Sequence, residues 1–289
     1  MKLVIINNRY NQKCEELLVR ASKLKKLSVD IISAKTSIFS ISDNSQNEDI
    51  LLYRIAVDPI ESLLEQMYIE NGAKSFLEGN DYSKLFPNKL TRYFEFQKIG
   101  LPVPKTIFSM ALDDESLLDI IDKLGLPLVI KTLDGTRGRG TLIVDSFFAL
   151  KSLVELLVSK GIVFLYQEFL GKNIGISFRL VVLDNEVVCA HKRELIERSD
   201  FRTNATKKVI KQAFQPDFVL QELGKKALKA RGRTFGAVDI LLNNNGEYVI
   251  TEVNHPFNFS VAQEISGIDI AGLMVQSLVS KVEKNKSSL

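Results

Sequence analysis

The sequence predicts an α+β fold made of three sub-domains. Its 289 residues are more than one hydrophobic core usually holds, so two or three compact units are expected. The pattern begins as strand, helix and strand, continues with a glycine-rich turn between two strands, and ends in hairpins that alternate with helices. We place the sub-domains at 1–79, 80–166 and 167–289.

The first sub-domain begins with a pattern typical of a βαβ unit. The apolar runs Leu3–Ile6 and Val29–Ile32 are of strand length, and Cys14–Leu27 between them has helical periodicity. A second helix is predicted near Pro59–Asn71, after a polar surface loop at 37–49.

The other two sub-domains contain mixed elements of their own. In the second we predict helices at Lys89–Ile99 and Asp113–Leu124, and strands at Leu126–Lys131 and Thr141–Asp145. A third helix follows the second strand and ends at Ser159. In the third we predict a helix at Phe218–Ala230 and two hairpins. The first hairpin joins Phe178–Leu183 to Glu186–His191, and the second joins Phe235–Leu242 to Glu247–Asn254.

Composition excludes several classes of function. The 38 basic and 35 acidic side chains give a net charge of only +3, which does not indicate a nucleic-acid or membrane partner. Its two cysteines lie far apart and outside any CxxC pair, which excludes a disulfide framework and a cysteine zinc site and fits a reducing compartment. Two histidines are too few for a His-rich metal cluster. The N-terminal apolar run is shorter than a signal peptide requires, and no stretch is long enough to span a bilayer. We therefore expect a cytoplasmic protein.

A glycine-rich segment follows the predicted strand that ends at Lys131. Gly135, Gly138 and Gly140 allow positive φ and close backbone approach, so amide N–H groups could surround phosphate oxygens beside Lys131 and Arg137. The segment runs into a strand rather than a helix, which excludes a Walker or Rossmann loop. It is typical of a lid over a triphosphate; a plain hairpin turn with solvated arginines is the alternative.

Two carboxylates near the C-terminus are predicted to share one face of a hairpin. A two-residue turn at Asn244 and Asn245 would pair Asp239 with Ile250 and put Ile250 on the face of Asp239, Glu252 and Asn254. Carboxylate and amide oxygens suit Mg²⁺ that is held mainly by ATP phosphates. A three-residue turn would reverse the faces, and an ordinary polar hairpin face is the alternative.

The segment between the second and third sub-domains is a candidate for adenine binding. Phe164–Leu170 is predicted to be an apolar strand whose free backbone groups lie at the crease between sub-domains; a simple buried strand is the alternative. Arg179, Arg193 and Arg202 follow it, and arginine is well suited to carboxylate and phosphate groups.

Taken in order, these segments resemble the ATP-grasp superfamily. The similar branch contains the ribosomal-protein-S6 glutamate ligase (RimK-like enzymes) and the lysine-biosynthesis carrier-protein ligases. The resemblance covers about Asn80 to Ile270, and its pieces are the lysines, the glycine segment, Gln167-Glu-Phe-Leu170, Asp200-Phe-Arg-Thr-Asn204, Glu252-Val-Asn254 and Ser266-Gly-Ile-Asp-Ile-Ala271. It implies an ATP-grasp architecture, with an N-terminal βαβ domain and two α+β sub-domains that clasp ATP.

The resemblance also implies roles for individual residues. The ATP phosphates would be contacted by Lys89, Lys131, Asn204 and the glycine segment with Gly135, Arg137, Gly138 and Gly140. Adenine would be held by Gln167, Glu168 and Phe169, and Ser177 stands where relatives carry a ribose-contacting aspartate. Arg193 and Arg202 would act on the transferred phosphoryl group or the acyl intermediate, and one or two Mg²⁺ or Mn²⁺ ions would be bound by Asp239, Glu252 and Asn254.

The implied activity is ATP-dependent ligation of a carboxylate to an amine through an acyl-phosphate. The expected partners are a small-molecule, peptide or protein carboxylate and an amino acid such as glutamate, without nucleic acid or membrane and with a homo-oligomer left open. Two alternatives remain: a ligase of another amine in cofactor or natural-product synthesis, and a nucleotide-binding regulator without turnover. Three departures from the family pattern, at Ser177, 205–208 and 255–258, lie near the region that sets substrate identity.

Overall fold

The first part of the chain forms a small parallel sheet with two helices. The computed structural model describes residues 1–39, 49–78, 89–133, 140–196 and 209–287. Strands β1 (Lys2–Ile6), β2 (Ser28–Ile32) and β3 (Ile50–Arg54) lie in the order β2-β1-β3, with helices α1 (Gln12–Leu24) and α2 (Pro59–Glu70). Asp58 accepts a hydrogen bond from the Ile60 amide at 3.0 Å and caps α2, and Pro59 occupies its first turn. The predicted βαβ beginning is confirmed.

The middle part is an antiparallel sheet packed against two helices. It contains α3 (Lys89–Lys98), β4 (Thr106–Ile107), α4 (Asp114–Leu124), β5 (Leu128–Thr132), β6 (Thr141–Val144), α5 (Phe147–Ser159) and β7 (Phe164–Glu168). The sheet order is β4-β7-β5-β6. Asp113 and Ser146 cap α4 and α5 through bonds from Ser116 N and Ala149 N. Apolar residues of both helices form one core with the sheet.

The last part is built around a five-stranded antiparallel sheet. Its elements are β8 (Ile176–Leu183), β9 (Glu186–Leu195), β10 (Val209–Ala213), α6 (Phe218–Ala230), β11 (Phe235–Leu242), β12 (Tyr248–Asn254), α7 (Ser260–Ser266) and α8 (Ile270–Lys286). The sheet order is β10-β9-β8-β11-β12. Asp184 and Asn185 make the predicted turn between β8 and β9 with φ of 48° and 68°, the left-handed values that a tight hairpin turn requires.

Apolar residues from different parts of the chain pack together in common hydrophobic clusters. Tyr53 and Phe76 pack in one cluster with Phe235 and Phe259, so the first sheet is joined to the last part by buried apolar surface. Phe96 of α3 lies in the core of the five-stranded sheet, and the Ile250 amide donates to the Pro102 carbonyl at 2.8 Å. Helix α3 is therefore anchored on the last sheet although it precedes the middle one, and the three boundaries stay a prediction.

The register of the β11–β12 hairpin differs from the predicted one. The chain turns through three residues, 244–246, since Leu242 pairs with Tyr248 and Asn243 N bonds Glu247 O at 2.8 Å. Ile240, not Asp239, pairs with Ile250, and Ile250 lies in the apolar core. A bulge between Asp239 and Ile240 on one strand and at Thr251 on the other then brings Asp239 opposite Glu252. The predicted turn length and Ile250 face were wrong, and the bulge restores the shared face of the carboxylates.

No single helix in the described ranges is both long and apolar enough to cross a membrane; α7 and the larger part of α8 would meet that length and composition only as a pair bent by 116°.

Candidate active site

One face of the five-stranded sheet carries a row of charged side chains. Arg179 on β8 pairs with His191 on β9 and with Asp239 on β11, which in turn pairs with Glu252 on β12. Residues directly opposite each other in neighbouring strands project to the same side. Arg193, two residues beyond His191, therefore lies on this face too.

Asp239 is the centre of this row. Its Oδ1 accepts from Arg179 Nε at 2.8 Å and from Arg193 Nη2 at 2.6 Å, and its Oδ2 accepts from Arg179 Nη2 at 2.6 Å and from Asn254 Nδ2 at 3.0 Å. Burial alone would raise the pKa of this carboxyl, but the two guanidinium groups outweigh it and lower the pKa to about 2. Asp239 thus stays ionised and holds both arginines in place.

Arg193 is buried and has hydrogen-bonding capacity left over. Its side chain is only 7% exposed, and within the described residues its Nε–H has no partner. Burial lowers the pKa of Arg193, Asp239 opposes that effect, and Arg179 adds to it by repulsion. A buried N–H group without a partner is costly, so this group is suited to an anionic ligand.

Helix α3 connects this face to the middle sheet. Arg92 Nη1 donates to Glu252 Oε1 at 3.0 Å, and the hydroxyl of Tyr93 donates to the Thr251 carbonyl at 3.3 Å. The same hydroxyl accepts from Lys131 Nζ at 3.4 Å. Tyr93 therefore contacts a β5 lysine on one side and the strand that carries Glu252 on the other.

A second lysine lies beside the first. Lys89 Nζ donates to the Thr132 carbonyl at 2.5 Å, and the Thr132 amide donates to the Gly140 carbonyl at 2.8 Å. Gly140 has φ of 72°, and a β-carbon at this position would overlap the Thr132 side chain. Lys89, Lys131 and the end of the glycine segment are thus close together.

The proposed adenine strand is interior and not an edge. β7 lies between β4 and β5, and Gln167 is buried with its Nε2 donating to Thr106 Oγ1 at 2.9 Å. Glu168 bonds the Lys105 backbone through its own amide and through Oε1. The expectation of free backbone groups was wrong for Tyr166 and Gln167, since β4 and β5 both pair with these residues. Phe169 follows the strand, and its carbonyl accepts from Asn244 Nδ2 at 3.1 Å.

Comparison with known proteins identifies the family. A family model of the RimK-like ATP-grasp domain matches residues 88–278, which is more than half of the chain. The chain belongs to the RimK-like ATP-grasp family. A Shewanella loihica relative named "Probable alpha-L-glutamate ligase" is 32% identical over 187 residues, which cover 64% of this chain and 61% of the relative. The chain thus spans about three fifths of the length of the curated relatives it matches.

Solved ATP-grasp structures share the whole fold. The ATP-grasp ligase PsnB, complexed with a phosphomimetic variant of its minimal precursor, Mg and ADP, has a TM-score of 0.77 at 16% identity, covering 97% of this chain and 98% of PsnB. A RimK domain ATP-grasp protein from Sphaerobacter thermophilus has a TM-score of 0.72 at 18% identity, covering 96% of this chain and 99% of its own. The predicted α+β ATP-grasp architecture is confirmed.

The oxygen atoms at the end of β12 fit Mg²⁺ better than Asp239 does. Glu252 Oε2 accepts no hydrogen bond within the described ranges, and the bond that Asn254 Nδ2 donates to Asp239 leaves the Asn254 amide oxygen for another partner. All four lone-pair sites of Asp239 are used. Nowhere in the described residues do three or more His, Cys, Asp or Glu form a metal cluster. A cation here would need ligand phosphates or water to complete its shell.

The remaining predicted site residues include Ser177 and five that lie outside the described ranges, and two further residues of the site were not predicted. Ser177 is buried on β8 opposite Arg193. Five predicted residues lie outside the described ranges: Gly135, Arg137, Gly138, Arg202 and Asn204. Sequence reasoning missed Arg92 and Tyr93, although they lie three and four residues after Lys89 and so share its side of the helix. The role of each predicted residue stays a prediction.

Proposed function

We propose that this RimK-like ATP-grasp protein is an ATP- and Mg²⁺-dependent ligase that joins a carboxylate to an amine. One observation carries the proposal: Tyr93 links Lys131 to the strand bearing Glu252. A cation suited to phosphate is thus linked through Tyr93 to the strand whose Glu252 lies opposite Asp239, the partner of Arg179 and Arg193. A phosphoryl group between them would be neutralised from both sides.

The reaction that suits this arrangement has two steps. A substrate carboxylate oxygen attacks the γ-phosphorus of ATP, and the bond between this phosphorus and the β,γ-bridging oxygen breaks. ADP is the leaving group, and the product of this step is an acyl-phosphate. The amine nitrogen then attacks the acyl carbon, phosphate leaves with the bonding pair, and the amine loses a proton. Positioning and charge neutralisation supply most of the rate in phosphoryl transfer.

In this proposal each group of residues has a separate task. Lys89 and Lys131 hold the phosphates, and Glu252 and Asn254 supply oxygen ligands to Mg²⁺. The metal, when bound, neutralises phosphate charge as a Lewis acid. Arg193 binds the transferred phosphoryl group or the acyl intermediate, and Asp239, whose pKa of about 2 keeps it ionised, orients Arg179 and Arg193.

The amine is proposed to be an amino acid, with glutamate as the first candidate. The support is the name of the curated relatives, which are 32% identical. The carboxylate partner is proposed to be a small molecule, a peptide or a protein tail. A ligase of another amine and a regulator without turnover are the competing outcomes of the test.

The test is ADP release measured against a matrix of carboxylates and amines, with the product identified by mass. The proposal expects sustained ADP release over many turnovers only when both substrates are present, and a product mass equal to their sum less one water. ADP with another amine but not with glutamate would favour the first alternative. ATP binding without ADP in any mixture would favour the regulator and overturn the proposal.

A further inference from the structure

The turn between β11 and β12 lies against the segment that joins the middle part of the chain to the last part. This connection, 169–175, follows β7 and precedes β8, and it contains a 3-10 turn at Gly171–Asn173. Asn173 Nδ2 donates to the Asn243 carbonyl at 3.1 Å. The connection is therefore attached to the same hairpin that carries the proposed metal ligands.

The Asn244 side chain bonds the backbone of this connection twice. Its Nδ2 donates to the Phe169 carbonyl at 3.1 Å, and its Oδ1 accepts from the Lys172 amide at 3.2 Å. One planar amide thus supplies the donor and the acceptor that a neighbouring strand would supply. The turn itself is closed by the preceding residue, since Asn243 Oδ1 accepts from two backbone amides of the turn, both at 2.9 Å. The Asn244 side chain is therefore left to hold the connection.

The ring of Phe169 packs on the backbone of the same connection. A β-carbon at Gly171 would lie 2.8 Å from Phe169 Cε1, which is too close for a real side chain, so the ring occupies space that only glycine leaves open. Phe169 is half-buried in this position. Its carbonyl is thus held by Asn244 and its ring rests on Gly171, so the 169–172 backbone determines where the ring lies.

This turn and the proposed metal ligands lie at opposite ends of one hairpin. From Tyr248, where β12 begins, to Glu252 the strand spans about 14 Å, at about 3.4 Å per residue. Phe169 is predicted to hold adenine, and Glu252 and Asn254 are proposed to bind the cation that accompanies the phosphates. The hairpin therefore sets the position of the base relative to that of the phosphates.

We propose that Asn244 is a positioning residue for the nucleotide, because its amide holds the 169–172 backbone and so keeps the Phe169 ring where adenine binds. The inference rests on the proposed function, since it takes ATP as the ligand and Phe169 as a contact of its base. The proposed phosphate ligands Lys89 and Lys131 belong to α3 and β5 and not to this connection. Asn244 therefore acts on the affinity for the base and not on the affinity for the phosphates.

The test compares ATP with inorganic tripolyphosphate, which has the phosphates without the base. The affinities are measured by calorimetry with Mg²⁺ in excess. Asn244→Asp keeps the shape and the acceptor but removes the donor to the Phe169 carbonyl. We expect this variant to bind ATP about 3- to 10-fold more weakly than the wild type, which is the range for one neutral hydrogen bond, and to bind tripolyphosphate equally well. In turnover, KM for ATP should rise by the same factor while kcat stays unchanged.

Two further variants sharpen the comparison. Asn245→Asp is the matched control, since it adds the same charge to the same exposed turn and Asn245 contributes only its backbone amide to the bonds of the described residues. Its affinity for both ligands should equal that of the wild type. Gly171→Ala displaces the Phe169 ring by a separate route, and it should show the same selective loss of ATP affinity as Asn244→Asp.

Because binding is measured without turnover, this inference and the proposed function can fail separately. Equal ATP affinity in Asn244→Asp and the wild type, or an equal loss for ATP and tripolyphosphate, would overturn the positioning role and leave the ligase. A selective loss for ATP in a protein that releases no ADP with any substrate pair would support the positioning role and overturn the ligase. A wild type that binds neither ligand would overturn both.

Discussion

Glu65 lies at the centre of a buried cluster of charges between the first part of the chain and the last. Its Oε2 accepts from Arg54 Nε at 2.7 Å, its Oε1 accepts from Arg233 Nη1 at 3.3 Å, and His255 Nε2 is 4.0 Å from Oε1. Burial would raise the pKa of Glu65, but Arg54 and Arg233 together lower it from 4.5 to about 2. Because His255 directly follows Asn254, this cluster also supports the end of β12.

Replacing Glu65 with glutamine keeps the shape and removes the charge. The pKa difference between the folded and unfolded chain corresponds to about 3 kcal/mol of stability at pH 7. Breaking one side of a buried ionic cluster costs about 3–5 kcal/mol, so both estimates give about 3 kcal/mol. We expect the urea midpoint of Glu65→Gln to fall by about 1 M.

The pH dependence of this difference has a definite sign. The folded pKa is lowered, so the stabilisation by Glu65 is fully present above the unfolded pKa of about 4.5 and is lost as pH falls toward 2. The difference between wild type and Glu65→Gln should shrink by about 1.4 kcal/mol per pH unit in that window.

The matched control for this experiment is Glu70→Gln, on the same helix α2. Glu70 is exposed and bonded only to Gln66 Nε2 within the described ranges, so its replacement should change stability by less than about 0.5 kcal/mol. Equal urea midpoints for the Glu65→Gln and Glu70→Gln variants, or a difference between wild type and Glu65→Gln that stays constant from pH 7 to pH 3, would refute the reasoning.

Three further predictions concern the nucleotide and metal sites. Lys131→Ala should abolish ADP formation but change the free energy of unfolding by less than about 0.5 kcal/mol, because Lys131 contributes one long hydrogen bond. Wild-type ADP production by this variant would contradict the role of Lys131 in phosphate binding. Glu252→Gln should lower turnover at least about 10-fold with only partial rescue by added Mg²⁺, whereas Glu247→Gln, in the exposed turn, should be silent; the reverse pattern would exclude this metal site. Gly140→Ala should raise KM for ATP, since the new methyl group displaces Thr132, and an unchanged KM would argue that this loop end does not touch the nucleotide.

Elements with strong local signals were predicted closely from the sequence. Helix α6 and strand β11 occupy the residues expected for them, because an Asp217 cap, apolar periodicity and the flanking turns all agree there. The turn at Asp184 and Asn185 was also predicted correctly, because the local signals agree there too. The strand β10, Val209–Ala213, was missed; it is mostly exposed, so it shows no alternation of apolar and polar residues.

The geometry of the site depended on contacts that no local pattern records. The bulge at Thr251 could not be predicted, since period-two alternation does not indicate an extra residue in one strand. The shared face of Asp239 and Glu252 was therefore expected for an incorrect reason. Arg92 and Tyr93 have no local signal for their contacts with β12, because only the packing of α3 on the last sheet creates them.

The central claim is that a substrate carboxylate is activated by direct attack on the γ-phosphate. The most direct test uses the carboxylate and amine identified by ADP release, with ¹⁸O in the carboxylate, and follows the label by ³¹P NMR or mass spectrometry. The account predicts that one labelled oxygen appears in inorganic phosphate, together with ADP and the amide. Unlabelled phosphate, or AMP and pyrophosphate as the nucleotide products, would contradict it.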